Sequence, residues 1–196
     1  MEVKLLQEQV ICAVYQIHMT RDFPDNELKP LSAILGMLRE GRYFVYGCYD
    51  GERLAAYACL CRSDSGKTLL LDYYAVVPAF RSQGVGSAFL ARLRETCGEY
   101  RGIVLEIESV ESAQGEEERR LRQRRKDFYL RCGVRETDIF CLVFGVYYQI
   151  LFFPFSPQWD SRLAFTELDS FYRSFIPENL YPQKVFYFPP YGNGTR

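Results

Sequence analysis

Histidine is almost missing from this chain: His18 is the only one among 196 residues. The seven cysteines nowhere fall into a C-x-x-C pair, so the ligands of a structural zinc site are not in place and no metal is expected. An excess of charge is missing too, with 24 Lys plus Arg against 25 Asp plus Glu. Without a net field the chain lacks the means to gather nucleic acid or an anionic membrane, and neither is expected as a partner. No run reaches the roughly 18 apolar residues of a membrane-spanning helix. The nearest, residues 139–155 (IFCLVFGVYYQILFFPF), carries Gln149 and is rich in aromatic and β-branched types, which predicts two adjacent buried strands. Met1-Glu2-Val3-Lys4 leads into a mixed polar run rather than an apolar leader, so free thiols and a cytoplasmic location are expected.

What the chain has in quantity is aromatic mass, 15 Tyr and 15 Phe. Its length suits one well-cored domain with an elaboration and is short for two domains. Residues 1–155 are expected to form that domain and 156–196 a C-terminal extension. Six of the nine prolines lie from Pro154 onward, yet so do Trp159, Phe165, Phe171, Tyr172, Tyr181 and Tyr187. Disordered tails lack such apolar mass, so the extension is expected to pack on the core or on a second subunit, the latter giving a homodimer.

The coarse pattern is a strand from Glu2, a helix from Glu8 to about Met19, and a second helix after Pro30 that stops at Gly41. Strand-like runs follow at Arg42–Tyr49, Arg53–Arg62 and Thr68–Val77, the first two joined by a turn at Asp50-Gly51. Then comes the most informative stretch, Arg81-Ser82-Gln83-Gly84-Val85-Gly86, between that last strand and a helix-patterned segment from Ser87 to Cys97. Glycines there let a ligand approach the backbone, and a helix start presents unpaired N–H groups and the positive dipole end to an anion. A strand at Ile103–Ile107 and a helix at Glu116–Cys132 follow, the helix acidic at its start and basic further on.

The V-x-P strand end at Val76-Val77-Pro78, the R-x-x-G-x-G loop and the later Phe128-Tyr129-Leu130-Arg131-Cys132-Gly133-Val134 together resemble the GNAT superfamily of N-acetyltransferases. The resemblance covers residues 30 to 150 well, the first thirty loosely and the last forty hardly at all. It implies an α/β (α+β) fold with a mixed, largely antiparallel central sheet flanked by helices. It also implies acetyl-CoA as co-substrate, held by the backbone of Val76 and Val77 and by Arg81, Ser82, Gln83, Gly84, Val85, Gly86 and Ser87, with Phe128 and Arg131 beside it. The frequent N-x-x-A-x-x-F-Y of the family reads here Arg122-x-x-Arg125-x-x-Phe128-Tyr129. Arg122 thus stands where the family's asparagine usually contacts the pantetheine.

Acetyl transfer needs a group to take the amine's proton and an acid for the departing thiolate. The resemblance places Tyr129 as the acid. The bases open to choice are Asp72, Glu106 and Glu108, with Glu106 first because the resemblance implies a base at the glutamate of such an L-E-I strand, as some family members use it. Glu108, two residues on, shares its strand face. His18, Glu27 and Lys29 lie where such enzymes build the acceptor pocket, and His18 is read as a helix-end polar group. The leading function is transfer of acetyl from acetyl-CoA to a primary amine of a small molecule, an aromatic tail closing over the site. A protein or peptide acceptor, or an acyl-CoA-binding regulatory module without turnover, stands as the alternative.

Overall fold

The computed structural model describes residues 1–25 and 27–191, so residues 192–196 of the extension lie outside the described part. It is a mixed α/β fold with largely antiparallel strands flanked by helices. Two compact units divide it, one comprising Met1–Arg62 and Leu71–Thr96, the other Ser63–Leu70 and the chain from Cys97 onward.

The first unit opens with β1 (Glu2–Leu5) and α1 (Glu8–Val14). The expected single helix to Met19 instead widens into a π-helical turn at Tyr15–Met19 before α2 (Thr20–Asp22). After α3 (Leu31–Arg39), strands β2 (Tyr43–Asp50) and β3 (Arg53–Arg62) form an antiparallel hairpin. Its loop is Gly51-Glu52, one residue later than the sequence suggests, because Asp50 still pairs with Arg53 across the ladder. β4 (Leu69–Val76) leads through a 3-10 turn at Pro78–Phe80 to α4 (Val85–Thr96). That helix starts two residues before the expected Ser87, since Gly84 O already accepts the Ala88 N–H at 3.0 Å. Ile11, Ile34, Val45, Leu60, Phe89 and Leu93 are buried and supply the apolar contact that closes the unit.

In the second unit, β5 (Gly102–Glu108) pairs antiparallel with β7 (Val146–Pro154), and β7 with β6 (Arg135–Val143). These last two are the strands expected from residues 139–155, with β6 beginning earlier. Gly102 is needed at the start of β5, where a Cβ would come within 2.4 Å of the Phe153 carbonyl oxygen. Between β5 and β6 runs α5 (Glu116–Arg131). The chain after Phe155 adds α6 (Ser161–Phe175), α7 (Tyr181–Lys184) and β8 (Val185–Tyr187), the last pairing with β6. Asp160 caps α6 by accepting the Leu163 N–H at 2.7 Å, and the helix buries Ala164, Leu168, Phe171 and Tyr172. Aromatic packing ties this stretch to the rest of the unit, with Trp159 stacked on Phe152 of β7 at 5.4 Å.

Candidate active site

The loop after β4 is shaped by its backbone. Ser82 adopts φ 61° and Gly84 φ +77°, both left-handed, so the chain reverses twice before α4 begins. A left-handed serine is uncommon and is held by its surroundings. Two side chains fix the loop: Arg81 Nε donates to Val76 O at 2.9 Å, and Gln83 Nε2 donates to Ala79 O at 2.9 Å. Beneath it, Tyr74 OH donates to Gly86 O at 2.5 Å and seats the first turn of α4. A Cβ built on Gly84 meets no protein atom within 4 Å, so the space above that backbone is open, and residues 81–84 and Ser87 are exposed. An exposed turn that leads into the N-terminus of a helix suits a phosphate group.

Sequence reasoning placed Arg81 on the ligand; its guanidinium is also engaged within the protein, 3.5 Å from Asp22 Oδ1. Asp22 takes Tyr57 OH at 3.0 Å and an ion pair with Arg21 at 2.9 Å as well. Val77 turns its N–H to Ala55 O at 2.9 Å, and strand alternation leaves the Val76 backbone groups on the opposite side of β4.

Asp72 has an 11% exposed side chain and accepts Tyr43 OH at 2.6 Å and Lys29 Nζ at 2.5 Å. Tyr73 OH accepts the Lys29 backbone N–H at 2.8 Å and donates to Glu27 O at 2.9 Å. These contacts make Asp72 and Lys29 a tie between β4 and the chain before α3. His18 lies in the π turn, its ring tilted against Tyr57, and burial followed by the charge of Arg21 lowers its pKa.

In the second unit Tyr129 lies in the last turn of α5, buried and edge-on to Phe128 at 5.2 Å. Burial pushes its phenol up to about 12, so it keeps its proton at neutral pH. Arg131 is exposed in the last turn. On β5, Glu106 and Glu108 share a face but meet different partners. Glu108 pairs with Arg122 at 2.8 Å and lies 3.6 Å from Arg125. Arg122 also donates to Ser109 O at 2.7 Å and Ser112 Oγ at 2.9 Å, so this arginine fastens the segment after β5. Glu106 is half-buried and accepts the phenol of Tyr172, which sits on α6. That partner escaped sequence reasoning. The only local trace was an amphipathic run behind the cap at Asp160.

Among the described residues no group of three or more His, Cys, Asp or Glu is placed to hold a metal ion, and no helix is long and apolar enough to cross a membrane.

Comparison with known proteins points one way. The model of the Acetyltransferase (GNAT) family matches residues 11–133. Among solved structures, a Bacteroides thetaiotaomicron protein described as an acetyltransferase of the GNAT family superposes with TM-score 0.69 at 19% identity, covering 90% of this chain and 98% of its own. The Escherichia coli ribosomal-protein-S18-alanine N-acetyltransferase gives 0.58 at 18% identity, over 79% and 94%. A Bacillus subtilis acetyltransferase solved in complex with CoA gives 0.52 at 14% identity, over 78% and 97%. No curated protein matches in sequence. At these identities the structural likeness speaks for the fold.

Proposed function

Because the chain belongs to the GNAT acetyltransferase family and is an acetyl-CoA-dependent transferase, we propose that it moves acetyl to a primary amine of a small molecule by direct transfer. The observation that carries this reading is the turn at Arg81–Gly86, with open space over Gly84 at the start of α4. The pyrophosphate of acetyl-CoA would rest on the N–H groups from Gln83 to Ser87, and its pantetheine would pair with the backbone of Val76; the expected pairing at Val77 is set aside, because its N–H is held by Ala55 O and its carbonyl by the Phe80 N–H, each at 2.9 Å. The fit is to backbone: the Arg81 side chain serves the loop's shape.

Glu106 takes a proton from the ammonium, directly or through water, and frees the lone pair. The amine nitrogen then bonds to the thioester carbonyl carbon, the C–S bond breaks, and the Tyr129 phenol hands its proton to the departing sulfur. The nitrogen sheds its second proton to solvent water, so the products are an acetamide and CoA thiol; Tyr129 then recovers its proton from solvent and Glu106 releases the one it took. A phenol at about 12 is a weak acid for an ordinary thiolate. The same desolvation raises a thiolate leaving into those surroundings, which keeps donor and acceptor matched. Glu106 is preferred over Glu108 and Asp72 because those two carry arginine and lysine partners at 2.8 and 2.5 Å. A small acceptor is preferred because α6 of the extension covers Glu106 with Tyr172, narrowing the approach to that carboxylate.

The test is thiol release from acetyl-CoA over a panel of small amines and short peptides, with Glu106→Gln beside the wild-type chain. The expected result is turnover with a small amine, a loss of about 100-fold in kcat/KM for Glu106→Gln, and disappearance of the acidic limb of its pH profile. Glu108→Gln should cost far less. Turnover confined to peptides would overturn the acceptor class, and a Glu108 effect larger than that of Glu106 would move the base to Glu108.

A further inference from the structure

Residues 11–133 match the family, yet the group bonded to Glu106 comes from residue 172. We infer that Tyr172 is a positioning residue that sets the orientation and basicity of Glu106, so that the C-terminal extension completes the catalytic carboxylate. The inference rests on the reading of Glu106 as the base, and deepens it.

Tyr172 is 6% exposed, and its hydroxyl has two neighbours, Glu106 and Cys141 Sγ at 3.7 Å. A carboxylate is much the stronger acceptor of the two, so the phenol proton belongs on the Glu106 side. Burial and the charge of Glu106 push the Tyr172 phenol well up, which keeps it a donor. The helix carrying it is anchored just ahead of that contact. Glu167 is 4% exposed and takes Ser65 Oγ and Thr68 Oγ1, each at 2.8 Å. Two residues on, Asp169 accepts Tyr181 OH and pairs with Arg173 at 2.7 Å. A side chain so placed holds one oxygen of Glu106 and with it the plane of the carboxylate.

Besides Tyr172 from α6, Cys141 from β6 lies close enough to feel the charge of Glu106, and Glu108 follows along β5, turned to Arg122 and Arg125 of α5. A phenol hydrogen bond favours the charged form of a carboxylate, so its removal makes Glu106 hold a proton more tightly.

The experiment needs no acceptor. The chain is labelled with 13C-glutamate, and the Glu106 carboxyl resonance is identified by its absence from Glu106→Gln. In Tyr172→Phe this resonance should titrate about one pH unit higher than in the wild-type chain, the size of one charge-assisted hydrogen bond. Circular dichroism and acetyl-CoA affinity should stay unchanged. Site-specific 3-fluorotyrosine at 172, a stronger donor of nearly the same shape, should move the titration the other way. An unmoved resonance in both variants overturns the inference and leaves the proposed reaction standing. Wild-type turnover by Glu106→Gln overturns the role of Glu106 as base, even where the spectroscopic shift is seen.

Discussion

Gly84→Val is expected to weaken acetyl-CoA binding by at least about 100-fold, the loss of two or more backbone contacts to a charged ligand. Two effects act together. The residue sits at φ +77°, where a β-branched side chain is strained. Its Cβ would also point into space that no protein atom occupies within 4 Å, the space the pyrophosphate needs. The fold should survive with a melting temperature a few degrees lower, because the strain is of order 1–2 kcal/mol. Calorimetric titration with acetyl-CoA reads the affinity directly. Gly84→Ala separates the two effects, since it keeps most of the backbone strain and fills much less of the cradle. Wild-type affinity in Gly84→Val would remove the loop from the binding site.

Tyr129→Phe should keep both the fold and acetyl-CoA affinity while losing about 10²- to 10⁴-fold in kcat. The ring is 9% exposed and packed edge-on to Phe128, and phenylalanine preserves that packing. What it removes is a proton donor. With the phenol at about 12, the wild-type chain should show no alkaline limb from this group until the pH nears that value. Rapid-quench measurement of the transfer step, where chemistry limits, is the check. A near-wild-type rate there would make Tyr129 a packed aromatic and leave the thiolate to leave unprotonated.

Legibility from sequence tracked how local each device is. The turn at Arg81–Gly86 could be read because its glycines and the helix start lie within a few residues of one another. The strands of residues 139–155 could be read from composition alone. The left-handed Ser82 could not, because the residue type argues against it and only Arg81 on Val76 O and Gln83 on Ala79 O show what holds the loop. The departure at Arg122 was visible as a substitution in a motif, but its use was not. Its partners Ser109, Ser112 and Glu108 lie 10 to 14 residues away, and only the turn from β5 into α5 brings them together. Tyr172 is the extreme case, 66 residues from Glu106 and one of fifteen tyrosines. Its aromatic neighbourhood signalled burial. Which carboxylate it would meet depended on the order β5-β7-β6 and on α6 packing against those strands. The free choice among Asp72, Glu106 and Glu108 narrowed for the same reason, once their partners were seen to be Lys29, Tyr172 and Arg122.

Direct transfer is the claim on which the roles of Glu106 and Tyr129 both stand, and intact-mass spectrometry tests it. The chain is incubated with acetyl-CoA alone and then with an amine found in the acceptor panel, while released thiol is counted. The account predicts an unchanged chain mass in the first step, and in the second one thiol released for each acceptor acetylated. A chain that gains one acetyl group from acetyl-CoA alone and passes it on when the amine arrives would contradict it.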